Sequence, residues 1–384
     1  MNSIIKIILL LVYLLDTSYA APNFLTISDI HFGKNNLSRD GEDTGPEFLK
    51  ITMKEFKKLS KNVDFILFLG DLPTHSLFNR AKKEEYEKTV FDSLFANDIG
   101  LKPIFYIAGN NDSLSGNYQP FESNGISPLN FASHWTGSCA HCKGLIIDES
   151  HMRHDGYYSS YVIPGNKEII LIALNATQWT KTPLLSRYPN QEKDALMQLS
   201  WLDKELKKHR GKQLLIAMHE APGKSYKGKP IWHKRYLQDF IKILSKNSKL
   251  YGEITLLTGH SHMDEIRKIH LADGKNLYAY STPGISRIHH NYPGMKIFTL
   301  NKKMQIKNFT TYYTSHLNKW DNQHYQALNT PSAIFSRCRS TTLSECLNKL
   351  SSQQVCENVE QGLFYGVKSP NVSNTECNII YGVN

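Results

Sequence analysis

The sequence has no internal repeat and no long linker, which excludes a repeat array and argues against beads on a flexible string. It has no zinc-finger, RNA-recognition or other nucleic-acid signature. Beyond the N-terminus, no stretch approaches the roughly 20 apolar residues of a spanning helix, so the mature chain is expected to be soluble. Acidic residues are the scarcer charge, 35 against 45 basic, for a net charge of +10. Most of the excess is lysine, in runs such as "KKLSK" and "KELKKHRGK". A solvated lysine surface is the plain reading, and attraction to anionic lipid or nucleic acid the sharper one.

What is present is globular in composition, 40% hydrophobic and 11% aromatic over 384 residues. The N-terminus "MNSIIKIILLLVYLLDTSYA" has one Lys, an apolar run of about ten residues and small residues before Ala20, the pattern of a cleaved secretory leader. Export fits an even count of six cysteines, residues 139, 142, 338, 346, 356 and 377, read as disulfides. Cys139 and Cys142 in "SCAHCKG" have no matching second pair at finger spacing, so a local disulfide is expected there rather than half a metal site. The pattern allows other pairings for the remaining four. Asn-x-Ser/Thr triplets at Asn175, Asn308 and Asn371 mark candidate glycosylation sites.

Short apolar runs end repeatedly in polar, Gly-containing turns: "NFLTISDIH", "VDFILFLGD", "KPIFYIAGN", "EIILIALNA", "QLLIAMHEA" and "ITLLTGHSH". They read as buried strands. Helical patterns at 46–60, 84–97 and 191–209 lie between them. The alternation predicts an α/β (α+β) layered domain, with ligands at the carboxyl ends of strands. From about 316 the apolar strands stop and short Cys-bearing helical stretches begin. The expected organisation is a leader at 1–20, a main domain at 21–315 and a Cys-containing C-terminal subdomain at 316–384.

Five strand ends carry ligand-type side chains. "SDIH" offers Asp29 and His31, whose i, i+2 spacing puts both on one side of an extended segment. "GDLPTH" offers Asp71 and His75, "GNND" the amide oxygen of Asn110, "MHEAPG" His219, and "GHSH" the pair His260 and His262. Imidazole suits Zn, Fe and Mn, and carboxylate and amide oxygens fill the harder positions. Asp71 can bridge two ions, and a bridging hydroxide is then the expected nucleophile. A single His at a strand end is usually an ordinary core or surface residue. Five such clusters, each after its own apolar run, are not.

In order and spacing these motifs resemble the calcineurin-like metallophosphoesterases over about 24–300. Within them, "GDLPTH", "HEAPG", "GHSHMDEI" and "YSTPGISRIHHNYPGMKIFTL" look like the acid sphingomyelinase-like phosphodiesterase branch. The resemblance implies a four-layer core of two β-sheets flanked by helices. It implies two divalent metals, with zinc first and iron or manganese as alternatives. One would be held by Asp29, His31, Asp71 and His262, the other by Asp71, Asn110, His219 and His260. It also implies pairing of Cys338 with Cys346 and of Cys356 with Cys377.

Asn111 stands where much of the family carries His, and an amide donates hydrogen bonds but transfers no proton at useful pH. The branch resembled has a His at the place of His75, so His75 is expected to protonate the leaving group, with Asn110 and Asn111 steadying the phosphoryl oxygens. Asp112 is read as orienting the turn, and His289 and His290 as candidate substrate contacts. The expected function is a secreted phosphodiesterase acting on a sphingomyelin-like phospholipid or related diester. The alternatives are a nucleotide or phosphomonoester hydrolase and a non-catalytic binding protein. Lipid-active members of the family carry a separate N-terminal lipid-presenting domain, for which this sequence leaves no expected room. Its charge and the segments "YYSSYV" (157–162) and "KSYKGKPIWHKRY" (224–236) are compatible with membrane-surface contact and with a soluble anionic substrate.

Overall fold

A computed structural model describes residues 21–75, 79–97, 100–183, 188–330, 333–336, 338, 341–357 and 374–383. The expected leader, with its cleavage point at Ala20, and the candidate glycosylation site Asn371 lie outside these residues. Among the described residues, no helix is long and apolar enough to cross a membrane.

Two mixed sheets form the middle of the molecule. Sheet one has the order β14-β13-β12-β1-β2-β3-β4. Its parallel centre is β1 (Asn23–Ile27), β2 (Phe65–Phe68) and β3 (Ile104–Tyr106), closed on one side by β4 (Cys139–Ala140). On the other side lie antiparallel β12 (Gly294–Leu300), β13 (Ile306–Tyr313) and β14 (Gln323–Gln326). Sheet two has the order β15-β10-β11-β9-β8-β7-β6-β5. Its parallel centre is β7 (Asn166–Ala173), β8 (Gly211–Ala217), β9 (Tyr251–Thr258) and β11 (Asn276–Ser281). Strands β5 (Ile146–Asp148), β6 (Tyr158–Ile163), β10 (Ile266–His270) and β15 (Gly382–Val383) complete it.

The central strands are apolar on both faces because both faces are covered. Phe65 and Leu67 of β2 enter the cluster between the sheets, with Leu171 of β7 and Leu215 of β8. Their neighbours Ile66 and Phe68 face outward, against Phe56 of α1 (Pro46–Leu59) and Phe91 of α2 (Arg80–Asn97). On sheet two, Ile170 and Ile216 meet Leu202 of α4 (Gln191–Lys208) and Phe240 of α5 (Lys234–Asn247). The period-2 alternation within each strand thus builds a helix–sheet–sheet–helix stack. A short α3 (Met152–Asp155) precedes β6.

Beyond 315 the expectation is an end to the apolar strands and a run of short Cys-bearing helices. The segment contains α6 (Leu343–Lys349), α7 (Ser352–Cys356) and α8 (Asn374–Tyr381), but it also gives β14 to sheet one and β15 to sheet two. Leu343, Leu347, Ile380 and Tyr381 join the cluster between the sheets. The polar strand "QHYQ" hid β14, because an edge strand needs no apolar run. Disulfides join Cys139 to Cys142, Cys338 to Cys346 and Cys356 to Cys377.

Two further expectations are corrected. Asn175 and Asn308 are 2% and 7% exposed, and their amides donate to the carbonyls of Asp155 and Leu328. A folded chain therefore presents neither for glycosylation. The segment 157–162 is no rim: Tyr157 and Tyr158 are fully buried and β6 is an inner strand of sheet two.

Candidate metal centre

The loops after β1, β2, β3, β8 and β9 meet at one end of the stack. The β1–β2 ladder runs past both strands, through Asp29 N to Gly70 O at 3.0 Å and His31 N to Asp71 O at 3.1 Å. The β8–β9 ladder does the same through Gly259 N to His219 O at 2.9 Å. The two sheets are tied there by Ser286 N donating to Asp29 O and Ile285 N donating to Ser28 O.

The i, i+2 pairs converge, but not along extended backbone. Asp29, His31, Asp71, His260 and His262 all have positive φ, between 46° and 71°. Left-handed backbone at five non-glycine residues is strain that persists only where the surroundings over-determine it. Glycine gives the room. A Cβ on Gly109 would lie 2.2 Å from Asp71 Oδ1, and one on Gly259 would lie 2.1 Å from Ser28 Oγ and 2.8 Å from Asp29 Oδ2.

All seven expected ligands are brought together. Asp29, His31 and Asp71 form one group whose ligand atoms lie within 4.8 Å of one another, and Asp71, His219 and His260 form a second. Asp71 belongs to both. His262 Nε2 is 3.4 Å from Asp29 Oδ1, and His219 Nε2 is 3.1 Å from Asp71 Oδ2. A third group places His75 with His31 and His262.

Each inner imidazole is oriented from behind. Nδ1 of His31 lies 3.0 Å from Pro73 O, that of His219 2.6 Å from Leu69 O and that of His262 3.1 Å from Ser286 O. A ring whose Nδ1 donates to a carbonyl turns an Nε2 lone pair to the centre. The Asn110 amide donates to Asn117 Oδ1 at 2.7 Å, and its own Oδ1 is buried. His31 Nε2, His219 Nε2 and Asn110 Oδ1 are buried and without a hydrogen bond. Orphaned acceptors are costly in a protein interior, and here the two imidazole nitrogens face the buried carboxylates Asp29 and Asp71, while Asn110 lines the same cleft as Asp71. The donor set fits divalent cations.

The electrostatics divide the four imidazoles: against burial, the carboxylates Asp29 and Asp71 raise His31 to about 9 and His219 well above its ordinary range. Burial opposes ionisation of Asp29 and Asp71, yet His262 and His219 respectively hold their carboxyls well below the usual carboxylate range. Burial pushes His260 down to about 3, and it likewise holds His262 well below the ordinary histidine range. A neutral imidazole is the form that ligates.

Asp112 orients the turn, as expected: its carboxylate accepts from the backbone N–H of Asp71, Leu72 and Gly109 and from Tyr106 OH. Asn111 does more than the sequence indicated. Its backbone N–H donates to Asp71 Oδ1 at 2.8 Å and its amide to Asp71 Oδ2 at 2.9 Å. It grips the shared carboxylate as well as lining the cleft.

His75 stacks on His31 with ring centroids 3.8 Å apart. Its Nδ1 lies 3.0 Å from Asp43 Oδ1, and its backbone N–H donates to Asp43 Oδ2. Ser286 Oγ also donates to Asp43. Asp43 was missed by the sequence reading because "GEDTG" follows no apolar run. His289 reaches the site, with its ring 4.6 Å from that of His262. His290 does not: it turns to Asp40, 3.4 Å away.

Over the centre lies a cleft of about 330 Å³. Asp71, His75, Asn110, Asn111 and His260 line its floor side, and Tyr118, Ser225, Tyr226 and Ile231 its walls. Part of the expected segment 224–236 is thus at the site, while its Trp232 and Tyr236 are buried in the core.

Among curated proteins the chain is similar to sphingomyelinase phosphodiesterase D of Dictyostelium discoideum, with 26% identity over 291 residues, 72% of this chain and 61% of that protein. It is also similar to sphingomyelin phosphodiesterase B of the same organism, 22% identical over 288 residues, 68% of this chain and 41% of that one. It therefore spans less than two thirds of the length of either. Among solved structures, a dimetal phosphatase from Danio rerio shares 14% identity over 77% of this chain and 96% of that chain, with a TM-score of 0.47. The family model described as calcineurin-like phosphoesterase matches residues 22–264, a span that holds all seven converging ligands and His75. The chain belongs to the calcineurin-like phosphoesterase family.

Proposed function

We propose that this protein is an exported, dinuclear-metal phosphodiesterase acting on a sphingomyelin-like phospholipid or a related diester. The observation that carries the reading is two orphaned, buried imidazole nitrogens, of His31 and His219, set against the buried carboxylates Asp29 and Asp71, with the orphaned Asn110 Oδ1 in the same cleft region. Asp29, His31, Asp71 and His262 would hold one cation, and Asp71, Asn110, His219 and His260 the other. Zinc suits a set this rich in imidazole, and iron or manganese is compatible with it. When bound, such cations supply positive charge to a phosphate and acidify water for attack.

The remaining work falls to this chain's own side chains. Asp71 is held in one rotamer by two donors from Asn111. Asn110 and Asn111 offer amide hydrogens at the cleft where charge builds on phosphoryl oxygens. His75, steadied at Nδ1 by Asp43, is the candidate to pass a proton from Nε2 to the departing alkoxide. The two curated relatives support a diester of the sphingomyelin type. The three disulfides support export, since such bonds persist in oxidising compartments.

The test offers bis-p-nitrophenyl phosphate, p-nitrophenyl phosphate, ATP and sphingomyelin side by side to the purified protein. Faster cleavage of the diesters, with sphingomyelin cleaved, is the expected result. Preference for ATP or the monoester would overturn the substrate assignment in favour of a nucleotide or monoester hydrolase. Cations bound with nothing cleaved would leave a binding protein.

A further inference from the structure

Residues 223–231, "GKSYKGKPI", form a hairpin beside the mouth of the cleft. Lys224 pairs with Pro230 in an antiparallel bridge, and Ser225 N–H donates to Lys229 O at 2.9 Å. The base is clamped by Arg267, itself 1% exposed, which donates to Pro222 O and Lys224 O while pairing with the buried Glu265. The hairpin is therefore held at its base by a buried ion pair.

Its side chains divide by direction. Ser225, Tyr226 and Ile231 line the cleft. Lys224, Lys227 and Lys229 are exposed and line none of it. Lys181 stands exposed at the base, where its backbone N–H donates to Ile231 O. Among the described residues, none of these four lysines has a carboxylate within salt-bridge distance; the nearby Arg235 alone has one, Glu192. Positive charge is felt locally: His233 is held below its ordinary range by burial first and then by Lys181 and Arg235.

Four unpaired cations within a short stretch repel one another, and an anionic partner relieves that repulsion. A small substrate seated in the cleft is not that partner, because none of the four lysines is among the residues that line it. A surface larger than the cleft is. We propose that this hairpin docks the mouth of the cleft onto an anionic phospholipid bilayer, with lysines on the headgroup phosphates and Tyr226, beneath Lys227, at the interface. The docking rests on the phosphodiesterase reading only for its purpose, and it is measured apart from it.

The experiment is flotation of the metal-loaded full chain with vesicles of neutral phosphatidylcholine, or the same lipid with about one third phosphatidylserine, at roughly 0.1 M salt. The chain should float with the anionic vesicles and remain behind with the neutral ones. The variant Lys224→Glu/Lys227→Glu/Lys229→Glu should lose roughly 100-fold in partitioning. A control, Lys50→Glu/Lys54→Glu/Lys57→Glu on the exposed face of α1, makes the same change in net charge and should keep most of the binding. Cleavage of bis-p-nitrophenyl phosphate, followed in all three proteins, reports an intact site. Equal loss in both variants would overturn the proposal, since net charge alone would then explain binding. So would absence of flotation, or retention of a fluorescent oligonucleotide without binding to vesicles. If no diester is cleaved by any of the proteins, the phosphodiesterase reading fails while the vesicle result still stands.

Discussion

At the scale of single residues, the centre is a set of side chains each fixed from behind. His75 is the clearest case. Asp43 holds its Nδ1 and its backbone N–H, so one carboxylate sets both ring and main chain. If His75 protonates the leaving group, the cost of losing it depends on that group. His75→Ala should slow a diester with an alkoxide leaving group by roughly 10²–10⁴-fold, the usual worth of general acid catalysis. It should slow bis-p-nitrophenyl phosphate far less, since p-nitrophenolate departs unprotonated. Asp43→Asn should follow the same pattern more weakly. Steady-state rates on the two substrates check this, and equal slowing on both would show that His75 is not the acid. The sequence placed His75 near the chemistry but not Asp43, because a loop carboxylate between β1 and α1 has no periodic signal. It placed Asn111 at the cleft, but not as a double donor to Asp71, a contact that depends on how the turn folds back.

At the scale of elements, the candidate ligands sit on turns that leave parallel strands at their carboxyl ends. Those strands were legible because burial on both faces leaves continuous apolar runs. The turn geometry was not. The i, i+2 pairs suggested an extended pleat, whereas Asp29, His31, His260 and His262 adopt left-handed backbone. Ladder bonds between neighbouring turns hold them there, and these form only once the strands are paired. Gly109 illustrates how little slack remains, with its missing Cβ 2.2 Å from Asp71 Oδ1 and 2.5 Å from Asp71 N. Gly109→Ala should displace Asp71 and empty the centre. Elemental analysis should find well under one metal per chain while far-ultraviolet circular dichroism stays native. Normal metal content would mean that the turn relaxes and that the space is not needed.

At the scale of the whole molecule, the C-terminal segment is a strap rather than an appendage. It adds β14 to one sheet and β15 to the other, and its apolar side chains complete the cluster between them. The Cys count and short helices were legible, but two short strands with few apolar residues were not. The Cys356–Cys377 bond closes a span of 21 residues, which chain-entropy reasoning values at about 3 kcal/mol. Cys356→Ser/Cys377→Ser should therefore lower the melting temperature clearly, and an unchanged melt would show that the strap holds without it.

The same region carries a pH signature. Burial pushes Glu253 of β9 up to about 7, against hydrogen bonds from Ile306 N–H and Ser344 Oγ. A folded value above the ordinary glutamate value of 4.5 means that charging this group costs stability. The cost is absent below the unfolded value, grows as pH rises toward 7 and is complete above it. Glu253→Gln keeps an acceptor for Ile306. It should raise the melting temperature relative to wild type at pH 8 and much less at pH 5. An equal difference at both values would contradict the assignment.

In the proposed centre Asp71 would be shared by two cations, while His260 would serve only one. Metal stoichiometry tests it most directly, by mass spectrometry of protein loaded with excess zinc and then desalted. Two zinc ions per wild-type chain are expected, close to one in His260→Ala and close to none in Asp71→Asn. A wild-type chain with one zinc or none, or an Asp71→Asn variant that binds as much as wild type, would contradict it.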